Sequence, residues 1–203
     1  MSTSLPMLLL CVLFAFIAGS IPFGWILARL KGIDLTQVGS GNIGATNATR
    51  ALGKAAGALV LFLDASKGFF PVWLARRYGL AASELPFDGA SPAIVGVAAI
   101  CGHVFSPWMG WKGGKGVATS LGVFLALSPL SAGIACLAFL VCFAVFRIAS
   151  IGSLVASLVL VVTMVVRHEA VGSIIAVVAT FVIVVVRHTD NIRRLWTRTE
   201  TRL

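Results

Sequence analysis

The sequence predicts an all-α fold, a polytopic membrane helical bundle of about seven transmembrane helices, with the N-terminus outside and the C-terminus cytoplasmic. Three observations lead there. The chain is 59% hydrophobic and only 11% charged, with a mean hydropathy of +1.01, whereas a soluble domain is about a quarter charged. Its apolar runs are continuous rather than alternating. In lipid each segment must satisfy its own backbone groups, so continuous runs select helices over a β-barrel. The basic residues, finally, gather in alternate loops between those runs. One integral membrane domain, residues 1–203, accounts for the whole chain.

A span needs roughly 20 predominantly apolar residues. The first runs over about residues 5–30, and Gly19, Pro22 and Gly24 let it bend. A glycine-rich loop follows, from Gly39 to Arg50. The second span covers about residues 55–74, and a polar stretch with Glu84 and Asp88 comes after it. The third covers about residues 90–101, continues toward Trp108, and leads into a second loop ending Lys112-Gly113-Gly114-Lys115-Gly116. Residues 117–146 are almost wholly apolar, but Ser128-Pro129 divides them into two short spans, because proline cannot continue a helix. Arg147 precedes a sixth span over 151–166, and Arg167-His168-Glu169 precedes a seventh over 171–186. The tail from 187 to 203 is polar.

Seven spans place the termini on opposite faces. With the amino end outside, the inner face holds Arg29, Lys31, Arg50, Lys54, Lys112, Lys115, Arg147 and the tail residues Arg187, Arg193, Arg194, Arg198 and Arg202. The outer face receives only Arg76, Arg77 and Arg167. This is the bias that orients membrane proteins. Merging 117–146 into one tilted span would put the arginine-rich tail outside. The net charge of +9 is therefore read as topology rather than a nucleic-acid surface: membrane lipid is an expected partner and nucleic acid is not. Cys11, Cys101, Cys136 and Cys142 lie in apolar runs without a C-x-x-C pair, as small core residues do. The start, Met1 to Pro6, lacks the basic n-region of a signal peptide, so the first run is read as a retained span.

The first loop formally satisfies G-x-G-x-x-G from Gly39 to Gly44, with Asp64 20 residues further on. A dinucleotide site would need a strand before it and a βαβ unit around it. Here a bent membrane span precedes the loop and Asp64 falls inside the next one. The loop reads instead as a phosphate site. Gly41 and Gly44 let backbone N–H groups approach an anion, Ser40, Asn42 and Asn47 add polar contacts, and Arg50 supplies a two-pronged guanidinium. A plain linker would not require so many ligand-directed groups.

The second loop is not a Walker A sequence. Met109 stands where the first glycine belongs, and Gly116 where Ser or Thr would hold magnesium. Lys112, Gly113, Gly114, Lys115 and Gly116 are thus expected to contact phosphate without nucleotide hydrolysis and without a metal. In the tail, His188 and Asn191 are spaced i, i+3, one helical face, so both can reach one ligand. Asp64 and Lys67 share that spacing within the second span. Charges there are costly, and mutual pairing makes them structural. His103 is read as an interfacial histidine satisfied by its neighbours. His168 falls on the opposite side of the last span from His188, so only His188 can join the cytoplasmic groups.

Together these stretches closely resemble the bacterial acyl-phosphate:glycerol-3-phosphate acyltransferase family, PlsY. The pattern S-G-N-x-G-A-T-N-x-x-R is matched from Ser40 to Arg50. G-H and K-G-G-K-G-V-A-T are matched at Gly102-His103 and from Lys112 to Thr119, with Trp111 where phenylalanine is common. H-x-x-N-I-x-R-L is matched from His188 to Leu195; Glu200 takes the acidic place of the closing G-x-E, and Arg198 replaces its glycine.

The resemblance implies transfer of a fatty acyl group from acyl phosphate to the sn-1 hydroxyl of sn-glycerol 3-phosphate, giving lysophosphatidic acid and phosphate. It also implies a bacterial inner-membrane location and a functional link to a soluble acyl-phosphate synthase. By position, Ser40 and Arg50 are essential, the second loop binds glycerol 3-phosphate, His188 and Asn191 serve activity, and Glu200 supports structure. Acyl phosphate is already activated, so no covalent nucleophile, metal or cofactor is demanded. Its phosphate, with a second pKa of about 6, can take the hydroxyl proton itself. His188 then positions that hydroxyl or deprotonates it. A small transporter for an anionic solute would need charges facing one another through the membrane, and only Asp64 and Lys67 are offered. A lipid-binding scaffold would need the basic tail but not Ser40, Asn42 and His188.

Overall fold

The computed structural model describes residues 5–78 and 90–202, so the polar stretch with Glu84 and Asp88 lies outside the described residues. Among the described residues the secondary structure is helical throughout. The first apolar run forms α1 (Leu5–Ser20) and α2 (Phe23–Arg29), broken at Ile21-Pro22. Proline has no N–H to continue the ladder. Lys67 closes the gap by donating from Nζ to the Ile21 carbonyl at 2.6 Å.

The expected first loop is only half a loop. From Ala45 to Leu52 it is a short helix, α3, followed directly by α4 (Lys54–Arg77). Ala48 is buried on α3 with Leu35, Ile43, Ala28 and Val60, a small core under the loop. Gly57 on α4 makes room for α3: a Cβ there would sit 1.8 Å from Thr49 Oγ1.

Next comes α5 (Ala90–Val104), with a 3₁₀ turn at Pro107–Met109. Two thirds of the apolar window of this span is buried, against 17% for α7 (Pro129–Phe146), so α5 is the central helix and α7 a peripheral one. Glycines bring α1 and α5 into backbone contact: a Cβ on Gly19 would lie 2.1 Å from Ala99 O, and one on Gly102 2.1 Å from Phe16 O. Small residues serve helix contacts this way in lipid, where burial of apolar surface gives no drive. Val72, Val95, Ile100, Phe124, Met164 and Val177 fill the centre. Outward-facing Leu9, Leu13, Phe62, Leu137 and Val162 are exposed, as a lipid-facing belt requires.

The chain continues through α6 (Val117–Leu127), then α7, α8 (Ala149–Val166), α9 (Val171–Arg187) and α10 (Thr189–Trp196). Five spans are long and apolar enough to cross a membrane, counting α1 and α2 together, and a sixth is reached if the bent pair α9–α10 is one span. The expected fourth span is α6, and it has 11 residues. At 1.5 Å per residue that is about half of a bilayer's hydrocarbon thickness. By length alone α6 falls short of a full span, and the count of seven rests on the pattern of basic residues rather than on helix length. The half-length helix is tolerated because its carbonyl end is satisfied inside the protein: Arg76 Nη1 donates to the carbonyls of Ala126 and Leu127. Ser128 Oγ then donates to Glu169 at 2.6 Å. Gly122 locks α6 onto α4, since a Cβ there would meet Ala65 O at 1.8 Å.

Candidate active site

The first loop is shaped by Asn47, buried near the start of α3. Its Nδ2 donates to the carbonyls of Leu35 (3.1 Å) and Val38 (2.9 Å), and its Oδ1 accepts the Ser40 N–H at 3.0 Å. Asn47 therefore holds the loop with its whole amide. Asn42 Oδ1 accepts the Gly44 N–H at 2.9 Å, just ahead of α3. Gly41, at φ 68, turns the chain and gives its N–H to Val38 O. Gly44 O accepts the N–H groups of Asn47 and Ala48, so those of Ala45 and Thr46 are the ones left at this corner.

In the second loop the glycines are committed to the backbone. Gly113 N–H donates to Val104 O and Gly114 N–H to His103 O. Their carbonyls accept Arg187 Nη2 at 2.9 Å and Nε at 3.2 Å. Arg187 thus clamps the loop to the end of α9, a role that sequence reasoning did not foresee. Gly116, left-handed at φ 84, then turns the chain into α6, whose first turn opens toward the site.

The tail bends by 56° between α9 and α10, with His188 at the corner. His188 Nδ1 donates to Val184 O at 2.7 Å, which leaves the lone pair of the neutral ring on Nε2. Burial, then the Lys115 charge, push the pKa of His188 down to about 4. Lys115 Nζ donates to Asn191 Oδ1, and Asn191 Nδ2 donates to Glu200 Oε1. Glu200 also accepts Ser150 Oγ at 2.9 Å and Arg194 Nε at 2.6 Å. Burial works against that carboxylate, but the hydrogen bonds from Arg194, Asn191 and Ser150 outweigh it and hold its pKa below the ordinary value. Lys115 is pushed down to about 8, chiefly by burial, with Glu200 opposing and Arg194 and Arg50 adding to the shift.

These elements enclose a cavity of about 140 Å³ lined by Ser40, Asn42, Gly44, Asn47, Arg50, Lys115, Gly116, His188, Asn191 and Glu200. Ala45 and Thr46 of α3 and Val117 and Ala118 of α6 line it too, so two helix N-termini face it. Arg50 reaches Thr201 O with Nη2, while its buried Nε has no partner among the described residues.

Of the residues expected to bind phosphate, Gly41, Lys112, Gly113 and Gly114 do not line the cavity. Lys112 is exposed, and the glycines serve loop shape. Asp64 and Lys67 pair at 2.8 Å as expected, yet Asp64 also lines the cavity. His103 lines it as well, and its Nδ1 has no hydrogen-bond partner among the described residues, contrary to the expectation of local satisfaction. Ser150 and Ser153 complete the wall. Their i, i+3 hydroxyls after Arg147 were a signal in the sequence that went unread. His168 is exposed at the far end of α9 from His188, as expected.

A second cavity, about 180 Å³, lies among α6, α7, α8 and α9, with Leu121, Phe124, Ala135, Leu160, Val177 and Phe181 in its wall. Leu61, Val117, Ala118, Phe139 and Ser153 line both cavities.

Residues 9–198 match the family described as glycerol-3-phosphate acyltransferase. The chain is 51% identical to the glycerol-3-phosphate acyltransferase of Myxococcus xanthus over 146 residues, 71% of this chain and 73% of that one. It is 47% identical to the one from Aquifex aeolicus over 154 residues, 74% and 75% of the two chains. Its fold matches a crystal structure of PlsY, an integral membrane glycerol 3-phosphate acyltransferase, in its glycerol 3-phosphate form. The TM-score is 0.90 at 41% identity, over 97% of this chain and 95% of that one. The lysophosphatidic acid form of PlsY matches at a TM-score of 0.88 and 40% identity, with the same coverage.

Proposed function

This chain belongs to the glycerol-3-phosphate acyltransferase family, and we propose that it takes its acyl group from acyl phosphate and delivers it to the sn-1 hydroxyl of glycerol 3-phosphate. The products are lysophosphatidic acid and inorganic phosphate. The integral membrane protein works in the bacterial inner membrane with its site toward the cytoplasm, where a soluble acyl-phosphate synthase supplies the donor.

One observation carries this reading: the polar and apolar cavities share the wall formed by Leu61, Val117, Ala118, Phe139 and Ser153. An acyl phosphate has an anionic head and a hydrocarbon tail. It can place one in each cavity, with its carbonyl carbon at the shared wall.

The acceptor hydroxyl oxygen attacks that carbonyl carbon, and the bond from the carbon to the phosphate oxygen breaks. Phosphate leaves with the bonding electrons. Two bases compete for the hydroxyl proton. His188, at about 4, is a weaker base than a phosphate whose second pKa is about 6. On binding, the hydroxyl donates to neutral His188 Nε2, which aligns it; as the oxygen attacks, that hydrogen bond is released and the single proton passes to the departing phosphate. Arg50, Lys115 and the N-termini of α3 and α6 hold the two phosphate groups, with the Ser40 hydroxyl at the rim. Asn191 and Glu200 hold Lys115 in place. Asn47, Gly113 and Gly114 hold the two loops that carry these groups.

The test is an assay of purified protein with palmitoyl phosphate and glycerol 3-phosphate, following phosphate release and the position of acylation. Equimolar phosphate and 1-acyl product, lost in Arg50→Ala, support the proposal. Turnover with acyl-CoA or acylated carrier protein but not with acyl phosphate would overturn the donor assignment.

A further inference from the structure

Asp64 and His103 are the two ionisable groups of the polar cavity that the reaction as described leaves unused. They are 2% and 4% exposed, from the middle of α4 and the end of α5. His103 Nδ1 lies 3.8 Å from Asp64 Oδ1, too far for a hydrogen bond. His103 Nδ1 has no hydrogen-bond partner among the described residues, whereas Asp64 Oδ1 has Lys67 Nζ at 2.8 Å and keeps room for a second donor. Lys67 Nζ pairs with the carboxylate through one N–H and donates another to Ile21 O at 2.6 Å. In the Nδ1–H tautomer His103 thus holds a buried donor without a partner beside a carboxylate oxygen that can accept once more, and an unpaired buried donor is costly unless something fills the site.

The chemistry of the gap selects its occupant. An oxygen about 2.8 Å from both atoms would accept from the imidazole N–H and donate to the carboxylate. A hydroxyl does both. A phosphate is excluded because its negative charge would lie against the carboxylate; a carbonyl oxygen fails for want of a proton to give. Glycerol 3-phosphate has three polar groups. Its phosphate fits the cationic side of the cavity, and its reacting hydroxyl fits His188. The middle hydroxyl then needs a partner that both donates and accepts. We propose that Asp64 and His103 form the subsite that binds the middle hydroxyl of the acceptor and so selects glycerol 3-phosphate over phosphorylated alcohols lacking it. This rests on the acyl transfer proposed above and adds the determinant of acceptor choice.

The test compares kcat/KM for glycerol 3-phosphate and for 3-hydroxypropyl phosphate, which keeps the phosphate and the reacting hydroxyl but lacks the middle one. The wild type is expected to prefer glycerol 3-phosphate by ~100-fold or more, because a site built to bind a hydroxyl rejects an analogue without it. His103→Phe keeps a ring but removes the donor, and is expected to bring the preference within about tenfold. His103→Asn places an amide N–H where Nδ1 stood and is expected to restore most of it. If His103→Phe does not fold, Asp64→Asn combined with Lys67→Met makes the same prediction without stranding a lone buried charge. A wild type without preference, or variants that slow both substrates equally, would overturn the subsite and leave the gap to a buried water. A folded wild type that makes no product from acyl phosphate and glycerol 3-phosphate would instead sink the acyl-transfer reading, and the subsite with it.

Discussion

Lys115 and Asn191 are joined by a hydrogen bond from Nζ to Oδ1 across 76 residues of chain, which ties the second loop to the tail. Asn191 passes the contact on to Glu200, and Glu200 to Arg194. The cation that faces the cavity is therefore aimed by a residue outside its own loop.

Removing that support should cost activity without removing the charge. Asn191→Ala is expected to lower kcat/KM by about 10- to 100-fold, the worth of a hydrogen bond to a charged group. Part of the loss should fall on KM for the phosphorylated substrates. Steady-state kinetics with the acceptor varied would check it, and an unchanged kcat/KM would remove Asn191 from the site.

The depressed pKa of Lys115 fixes the direction of a pH effect. In the proposed reaction it is the cationic form that binds phosphate, and that form is lost as pH rises through about 8. In wild type, kcat/KM is expected to fall above roughly pH 8, since that parameter reports the free enzyme. Lys115→Arg keeps its charge at any such pH and should carry this limb upward out of the range. A pH profile from 6 to 10 for both proteins decides it.

His188 gives the complementary expectation. With a pKa near 4 it is neutral across the working range, so it contributes no limb between pH 5 and 8. His188→Gln should lower the rate by roughly 10- to 100-fold through loss of alignment and leave the shape of the profile as it was. An acidic limb near pH 6 present in wild type and absent from His188→Gln would make His188 the base instead.

Arg198 occupies a left-handed conformation, φ 57, in the turn that carries Glu200 to Asn191 and Arg194. The family pattern has glycine at this place. Left-handed backbone costs an ordinary residue about 1–2 kcal/mol, partly offset by the greater freedom of glycine when unfolded. Arg198→Gly is expected to stabilise the protein by roughly 0.5–1 kcal/mol. A higher thermal midpoint in detergent would register it.

Much of the site was legible because its residue types make no sense as membrane packing. Ser40, Arg50, Lys115, His188 and Asn191 stand between apolar runs, and all five meet at one cavity. Lys112 and the glycines at 113 and 114 misled because spacing alone does not say which N–H groups are already taken. The shortness of α6 was not legible for a related reason. Its apolar sequence fits a span, but the helix ends at Ser128 on groups supplied by Arg76 and Glu169.

The sequence by itself determined that this is a helical membrane protein with three polar, glycine- or arginine-bearing stretches between its apolar runs. Hydropathy sums local transfer energies along the chain, and polar side chains between apolar runs declare themselves one at a time. Only the tertiary structure decided that Asn47 is a strap, that Arg187 clamps the second loop, and that a polar and an apolar cavity share a wall. Each depends on which distant carbonyl or side chain satisfies a given donor. That is settled when the helices pack, and no local window of sequence contains it.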